Sequence, residues 1–435
     1  MIYIQLILII IYCFTLFCIR TKIVRFLVSF YVLLLSFQLI LAELDIYDVH
    51  SISYNTFICF NLSIFFFIVG VFLGLQKYKT KVHENNSMFS FDKLKLTNVN
   101  LILCVNICML LLEYYYYLRM KALMATLLFT SDARGLFYKS DEFFSSYTDR
   151  LCYLHLVFNY SYICSFLFGY FFLVCKDKTW KEYLIIYTSL LYVVLGTFVS
   201  LGRGVLVPLV VVNIFFCFFV RIYKPLLLKG VIKKIVFVCF IMLIPFLGVS
   251  YLRANIDSGG SLTISEQFES MILEPIVTYF SNPVISFDYG KQFIFNNEGL
   301  WLGKALFSGL LNLISLPFIF ISPVFKVTSI DVLNEYTVPF YTIYGTYDWN
   351  ALYTIGFNYY LDFGTLGFII YPLIIGYVFC RIICWSIRTN TPYAVIVLFV
   401  SFFFLLRTVQ VSPFTDNFWS LFVFLYFMRK KILSV

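Results

Sequence analysis

Apolar runs, each about as long as a bilayer-spanning helix of ~20 residues, recur along nearly the whole chain. This feature limits the folds open to the sequence, because a backbone that crosses a bilayer must satisfy its own hydrogen bonds as a helix or a closed barrel. Charged residues make up only 13% of the chain, well below the share in soluble domains. The sequence therefore predicts an all-α polytopic integral membrane protein.

Eleven of these runs are assigned as transmembrane helices. They are residues 2–19, 26–42, 54–75, 99–118, 152–174, 183–200, 205–221, 235–252, 363–385, 392–411 and 417–429. The first run has no basic segment before it and no small-residue cleavage site after it, so it is not interpreted as a cleaved signal peptide. Arg20, Lys22 and Arg25 follow it, which predicts an external N-terminus.

The distribution of charge favours the same orientation. With the N-terminus outside, the inner segments carry 21 Lys and Arg residues against 4 Asp and Glu, whereas the rest of the chain carries 11 against 19. Cytoplasmic loops of membrane proteins are enriched in lysine and arginine, so the C-terminus is predicted to lie inside. The formal net charge of +9 is explained by these short loops and does not indicate nucleic-acid binding.

The largest interruption between apolar runs is the segment Arg253–Trp349. It contains nine acidic residues and only four basic ones. A long acidic connection is typical of the exported side, so this segment is predicted to be an external loop that contributes to an active site. The chain is accordingly divided into eight helices in 1–252, the large loop in 253–349, and a re-entry segment with three helices in 350–435.

Residues 304–325 within this loop allow two interpretations. They are apolar enough to cross the membrane, but a crossing would place three carboxylates and a single lysine of residues 326–348 inside. The favoured hypothesis is a helix that lies at the outer interface and is broken by Pro317 and Pro323.

Four arginines are predicted to lie on the outer side, where the positive-inside rule gives no reason for them. They are Arg134, Arg203, Arg253 and Arg407, from four different parts of the chain. Guanidinium groups pair with phosphate oxygens through two hydrogen bonds and stay charged at any working pH, so the set is predicted to bind a pyrophosphate. The alternative for each arginine is snorkelling to the interface or pairing with a loop carboxylate.

Arg203 is the sharpest of these candidates. It lies in the turn Leu201-Gly202-Arg203-Gly204 between two predicted spans. Gly202 and Gly204 allow a tight turn and a close approach of the backbone to a ligand.

Asp362 is the first candidate for a general base, because it lies where the chain re-enters the membrane, just before a predicted structural turn at Gly364. Glu274, Asp288 and Asp348 are further carboxylates of the loop. Any of them could accept a proton from a sugar hydroxyl. Asp362 could equally cap the following helix.

The sequence predicts no cofactor and no metal. It lacks H-E-x-x-H, G-x-S-x-G, P-loop and dinucleotide-binding motifs. Most cysteines fall inside apolar runs, where they are interpreted as packing residues. Cys380 and Cys384, four residues apart, could bind a metal or carry a lipid, with packing as the favoured interpretation.

Two short motifs and the layout resemble the O-antigen polymerase (Wzy) family. The motifs are the turn Leu201–Gly204 and the re-entry stretch from Trp349 to Gly367, and the layout is a large outer loop before the last three spans. The arginine-to-glycine spacing of the family's outer loops is not met after Arg134 or Arg253.

The resemblance implies a GT-C-like membrane glycosyltransferase of the bacterial inner membrane, with a periplasmic N-terminus and a cytoplasmic C-terminus. Its donor would be the growing polysaccharide on undecaprenyl pyrophosphate, its acceptor a new lipid-linked repeat unit, and undecaprenyl pyrophosphate would leave. Arg203 and Asp362 would be catalytic, with the arginine set stabilising the departing pyrophosphate. Membrane lipid and a chain-length regulator protein are the other implied partners.

Two further functions stay open. A lipid A-core O-antigen ligase shares the leaving group, but that family relies on a histidine in its large outer loop, and residues 253–349 contain none. A lipid-linked oligosaccharide flippase would be expected to have two related halves and no long outer loop.

Overall fold

The structure of the 435-residue chain is a computed structural model. It describes residues 1–44, 51–76, 96, 98–124, 159–175, 177–200, 203–223, 228–258, 274–295, 300–319, 336, 340–343, 347–350, 353–410 and 418–429.

The described residues are helical apart from one antiparallel hairpin and the connections. The helices are α1 (Ile2–Phe17), α2 (Lys22–Glu43), α3 (Tyr54–Gln76), α4 (Val99–Met124), α5 (Ser161–Gly169, extended by a π-helical turn Tyr170–Val174), α6 (Trp180–Val199), α7 (Val207–Tyr223), α8 (Leu228–Ser258), α9 (Glu274–Phe293), α10 (Ser308–Ile319), α11 (Gly356–Phe363), α12 (Gly367–Thr389), α13 (Pro392–Arg407) and α14 (Phe418–Met428). The hairpin pairs β1 (Phe340–Ile343) with β2 (Tyr347–Asn350).

The helices confirm a polytopic helical membrane protein. Each of the eleven predicted spans overlaps a helix of the described part of the chain. Seven helical segments in that part are long and apolar enough to cross a membrane. They are Lys22–Glu43, Tyr54–Gln76, Val99–Met124, Trp180–Val199, Gly204–Ile222, Lys229–Gly248 and Gly356–Thr389. Three shorter apolar helices, Ile2–Phe17, Ser161–Val174 and Pro392–Arg407, accompany them.

The chain forms two compact units that do not follow its linear order. Unit 1 comprises Met1–Asn85, Glu274–Arg388 and Ser401–Trp419. Unit 2 comprises Asn86–Leu273, Thr389–Val400 and Ser420–Val435. The division into 1–252, 253–349 and 350–435 concerns membrane topology and stays a prediction.

The segment predicted as one large loop contains regular structure. Helix α8 continues to Ser258, and α9, α10 and the hairpin follow it, with β2 ending at Asn350. Helix α9 packs against α2, and its residues Val284, Ile285 and Phe287 are buried. Residues 281–288 of α9 are all buried, polar ones included, so part of the acidic segment belongs to the core.

Helix α10 bears on the two interpretations of residues 304–325. Its 12 residues span about 18 Å, less than the ~30 Å of a bilayer core. It runs through Pro317, where a break was predicted, and ends at Ile319, while Pro323 lies outside the described residues. Residues 320–325 lie outside the described residues, so both interpretations of 304–325 stay predictions.

Helices α3 and α12 of unit 1 contact each other through their backbones. A Cβ atom on Gly70 would lie 2.1 Å from the carbonyl oxygen of Leu373, and one on Gly376 would lie 2.2 Å from that of Phe67. Small residues allow such close approach between helices in membranes, where apolar side chains gain little by leaving the lipid. This contact seats the first turns of α12 beside α3.

Unit 2 is built around α6 and contains a polar network among apolar side chains. The Tyr160 hydroxyl donates to Asn106 Oδ1 at 2.7 Å, and Asn106 Nδ2 donates to Ser189 Oγ at 2.7 Å. The network joins α4, the beginning of α5 and α6. Buried polar groups are stabilised in this way only when each has a partner.

Candidate functional site

The re-entry stretch turns sharply between α11 and α12. Gly364 has φ +56° and ψ −139°, a conformation open essentially to glycine alone. A Cβ atom on Gly367 would lie 2.0 Å from the carbonyl oxygen of Tyr359, so the start of α12 lies directly against α11. Two glycines of the sequence Asp362–Gly367 are thus needed for backbone geometry.

Asp362 is fully buried beneath this turn and accepts three hydrogen bonds. The backbone N–H groups of Ala305 and Leu306 each donate to its carboxylate at 2.9 Å, and the Tyr371 hydroxyl donates at 2.8 Å. One turn earlier, Asn358 Nδ2 donates to the carbonyl oxygen of Ala305 at 2.8 Å. Asp362 therefore caps the chain that enters α10 and not α12, the helix that follows it.

This geometry favours a structural role for Asp362, but the capped segment is the chain before α10 and not the following helix that was predicted as the alternative. A general base needs an oxygen that can reach the proton of the acceptor hydroxyl. Here the carboxylate is buried and held by N–H and O–H donors, so a role as base stays a prediction, and positioning of the chain before α10 is what the contacts support.

The turn that Asp362 holds has a strained backbone. Leu302 has φ +51° and Gly303 has φ +98°, so two consecutive residues lie in the left-handed region. The N–H of Trp301 donates to the carbonyl oxygen of Leu361, and that of Leu302 to the carbonyl oxygen of Asp362. These contacts to α11 hold the turn, whose next residue is the exposed Lys304.

An apolar groove of about 440 Å³ lies beside this turn. Its lining residues come from the turn, from α10 and from the first turns of α12. They are Leu302, Gly303, Lys304, Phe307, Leu311, Phe363, Ile370, Tyr371 and Ile374. Among these described residues Lys304 is the one with a charged side chain.

Asp288, another predicted candidate base, is also a buried cap. Its carboxylate accepts from the backbone N–H of Ser53 at 3.0 Å, from the Ser53 hydroxyl, from the Thr56 hydroxyl at 2.6 Å and from Gln292 Nε2 at 3.1 Å. Ser53 immediately precedes α3, so the negative charge lies at the positive end of that helix dipole. Glu274 begins α9, and Asp348 lies in β2.

The predicted arginines fall in different parts of the fold. Arg203 opens a short 3-10 turn, Arg203–Leu206, between α6 and α7, and Arg253 lies in the last part of α8. Arg407 ends α13 and is half-buried. Arg134 lies outside the described residues. Arg203 and Arg253 belong to unit 2 and Arg407 to unit 1, so a common phosphate site stays a prediction.

The Arg203 turn follows α6 after a short connection. Gly202 lies outside the described residues. Gly204 is exposed, and a Cβ atom there would meet nothing within 4 Å, so the space beside this glycine is open.

A buried carboxylate missing from the sequence interpretation lies close to this turn. Glu113 of α4 is only 2% exposed. A Cβ atom on Gly196 of α6 would lie 3.0 Å from Glu113 Oε1 and 3.2 Å from Val205 Cγ1, so the carboxylate reaches the end of α6 beside the Arg203–Leu206 turn. An ionisable residue in a membrane helix marks a functional or paired position, which is the signal that could have identified Glu113.

Lys304 and Tyr371 were also not assigned. Lys304 was visible as one of few cations in an acidic segment, but the strained turn that places it at the groove has no sequence signature. Tyr371 looks like any other aromatic residue of an apolar helix.

Within the described residues no three His, Cys, Asp or Glu side chains form a group that could hold a metal ion. Cys380 and Cys384 are buried in α12, and a Cβ atom on Gly74 would lie 2.9 Å from Cys380 Cβ, a contact that fits packing. No protein-family model, curated protein or solved structure matches this chain.

Proposed function

We propose that this protein polymerises undecaprenyl-pyrophosphate-linked oligosaccharide repeat units and releases undecaprenyl pyrophosphate. The observation that carries the proposal is the place of Arg203 between Trp180–Val199 and Gly204–Ile222, two helical segments able to cross a membrane. In a connection this short, residue 203 is expected near the membrane surface, where a lipid pyrophosphate lies. Guanidinium is suited to bidentate recognition of phosphate oxygens.

The proposed topology has eleven crossings in a GT-C-like arrangement, with the N-terminus periplasmic and the C-terminus cytoplasmic in the bacterial inner membrane. The overlap of every predicted span with a helix supports this count. The amino group of Met1 lies 3.9 Å from Glu43 Oε2, which supports an antiparallel α1–α2 pair with the N-terminus on the side where α2 ends.

The proposed chemistry is electrostatic. The glycosidic bond forms as the acceptor hydroxyl attacks the anomeric carbon of the donor, and the pyrophosphate leaves with the bonding electrons. Arg203, with Arg134 and Arg253 of the same unit as further proposed ligands, stabilises the charge that develops on the leaving group. Asp362 contributes by positioning the turn before α10, and the identity of the base is not part of the proposal.

The test is a chromosomal deletion followed by complementation. Deletion should leave surface glycan with a single repeat unit, and the wild-type gene should restore long chains. Arg203→Ala should lower polymerisation about 10²–10³-fold, the range for losing one donor that stabilises an oxyanion. Arg203→Lys keeps the charge but loses the fork of donors, so it should restore only part of the activity.

Arg221→Ala is the matched control, since Arg221 lies in the last turn of α7, at the opposite end from the Arg203 turn. It should leave chain length unchanged. Long chains in Arg203→Ala cells with a normal protein level would contradict the site. Absence of any repeat unit at the surface of the deletion strain would favour a flippase, and long polymer not transferred to lipid A-core would favour a ligase.

A further inference from the structure

The groove beside the Leu302–Lys304 turn combines an apolar wall with one cation. Its wall includes side chains that remain 37–70% exposed in the described structure. They are Leu302, Phe307, Leu311, Ile370 and Ile374. The volume of about 440 Å³ exceeds the roughly 150 Å³ that suffices for benzene in an engineered cavity. The groove therefore accommodates a stretch of hydrocarbon chain.

The Lys304 ammonium has no ion-pair partner among the described residues. Asp362 lies below the turn, but its carboxylate oxygens accept from Ala305, Leu306 and Tyr371. An ammonium beside an apolar surface favours an anionic group, and lysine is a compact point charge suited to phosphate.

The position of Lys304 is specified by a constrained backbone. A left-handed leucine, here Leu302 with φ +51°, costs free energy and persists only where surrounding contacts hold it. Those contacts are the hydrogen bonds from Trp301 and Leu302 to the carbonyl oxygens of α11. These hydrogen bonds hold the turn against α11 and so fix the backbone of Lys304 beside the groove.

We propose that this groove binds the carrier lipid, a polyprenyl phosphate or pyrophosphate, with its hydrocarbon chain along Phe307, Leu311 and Ile370 and its phosphate on Lys304. The inference rests on the proposed function, since that reaction uses two lipid-linked substrates and Arg203 is assigned to the pyrophosphate of only one of them, the donor. An apolar groove with one cation among its lining residues suits a hydrocarbon chain with an anionic head.

The experiment uses the full-length protein in phosphatidylcholine nanodiscs. A polyprenyl phosphate with a diazirine in its first isoprene units is added and irradiated, and the labelled peptides are identified by mass spectrometry. Label is expected in residues 302–311 and 363–374. Lys304→Gln should lower labelling about tenfold, as expected for loss of a contact between charged groups, and Lys304→Arg should retain it.

The matched control is Lys291→Gln, which removes the same charge from unit 1. Lys291 Nζ lies 5.5 Å from the centre of the Tyr360 ring, and Lys291 does not line the groove. This variant should label like the wild type. Leu311→Trp should narrow the groove and lower labelling while Lys304 stays in place, and an unchanged melting temperature excludes unfolding as the cause.

Unlabelled polyprenyl phosphate should compete for the site, and phosphatidylglycerol at the same concentration should not. Equal competition by phosphatidylglycerol would show a site for any anionic lipid and overturn the proposal, as would unchanged labelling of Lys304→Gln. Because labelling involves no acceptor and no turnover, its failure leaves the deletion phenotype standing. A deletion strain that still makes long chains would instead overturn the polymerase function and leave the labelling result intact.

Discussion

Two buried carboxylates of unit 1 each cap the beginning of another part of the chain. Asp288 of α9 accepts a backbone N–H just before α3, and Asp362 of α11 accepts two backbone N–H groups just before α10. The first N–H groups of a helix have no partner within it, and the helix dipole makes that end positive. A buried carboxylate is stable there because several donors replace its hydration.

The role of Asp362 can be separated from catalysis by one substitution. Asp362→Asn replaces one acceptor oxygen by an amide that faces N–H donors, so it should lower the free energy of unfolding by about 3 kcal/mol, the upper range for hydrogen bonds to a charged group. Tyr371→Phe removes one of the donors and should cost about 1 kcal/mol. Thermal unfolding in detergent measures both changes.

The outcome distinguishes a cap from a base. A cap loses stability and lipid labelling together, and polymerisation falls with them. If Asp362→Asn retained its melting temperature but lost polymerisation entirely, Asp362 would act on the substrate, and the positioning role would be wrong.

At the scale of elements, α3 and α12 depend on glycine for their backbone contact. Gly70→Ala would place a Cβ atom 2.1 Å from the carbonyl oxygen of Leu373, so the two helices must separate. Overpacking of this kind costs typically about 1–3 kcal/mol, and we expect a lower melting temperature in detergent. Gly230→Ala is the control, because nothing lies within 4 Å of its Cβ position. It should stabilise α8 by about 0.5–1 kcal/mol through helix propensity, and an equal loss in both variants would contradict the contact.

Two substitutions in α9 test whether this part of the acidic segment belongs to the core. Phe287 is fully buried, with its ring 5.6 Å from that of Phe60 and 5.7 Å from that of Phe368. Phe287→Ala should therefore lower the free energy of unfolding by about 3–5 kcal/mol. Phe293→Ala changes the same helix where the side chain is 61% exposed and should have a much smaller effect. Equal melting temperatures for the two variants would mean that α9 is not part of the core.

At the scale of the whole molecule, the proposed topology predicts the side on which each connection lies. Alkaline phosphatase fused after residue 48, 135 or 265 should be active, because these positions are predicted to lie in the periplasm. Green fluorescent protein fused after residue 85, 177 or 390 should fluoresce, because these lie in the cytoplasm. The reverse pattern would show that the predicted orientation of the chain is wrong. A fusion after residue 330 should be active as phosphatase if α10 lies at the interface, and fluorescent if 304–325 crosses.

Much of the helical framework could be predicted from the sequence. Each predicted span overlaps a described helix because a bilayer demands a long apolar run whatever surrounds it. Helix α9 was not predicted, for the converse reason. It has fewer apolar residues than the predicted spans and carries Glu274, Asp288 and Lys291, so its sequence does not resemble a membrane span. Its burial follows from neighbours far away in the chain.

The prediction of a polytopic helical membrane protein needed only the composition of each segment, because a helix that spans a bilayer is apolar whatever packs beside it. The sequence also predicted the turns at Arg203 and Gly364, because the backbone freedom that glycine gives is a local property. Only the packing of distant segments makes Asp362 a cap of the chain before α10 and places Lys304, unpaired among the described residues, at a groove. Those roles depend on hydrogen bonds and distances between segments more than fifty residues apart, which local patterns do not encode.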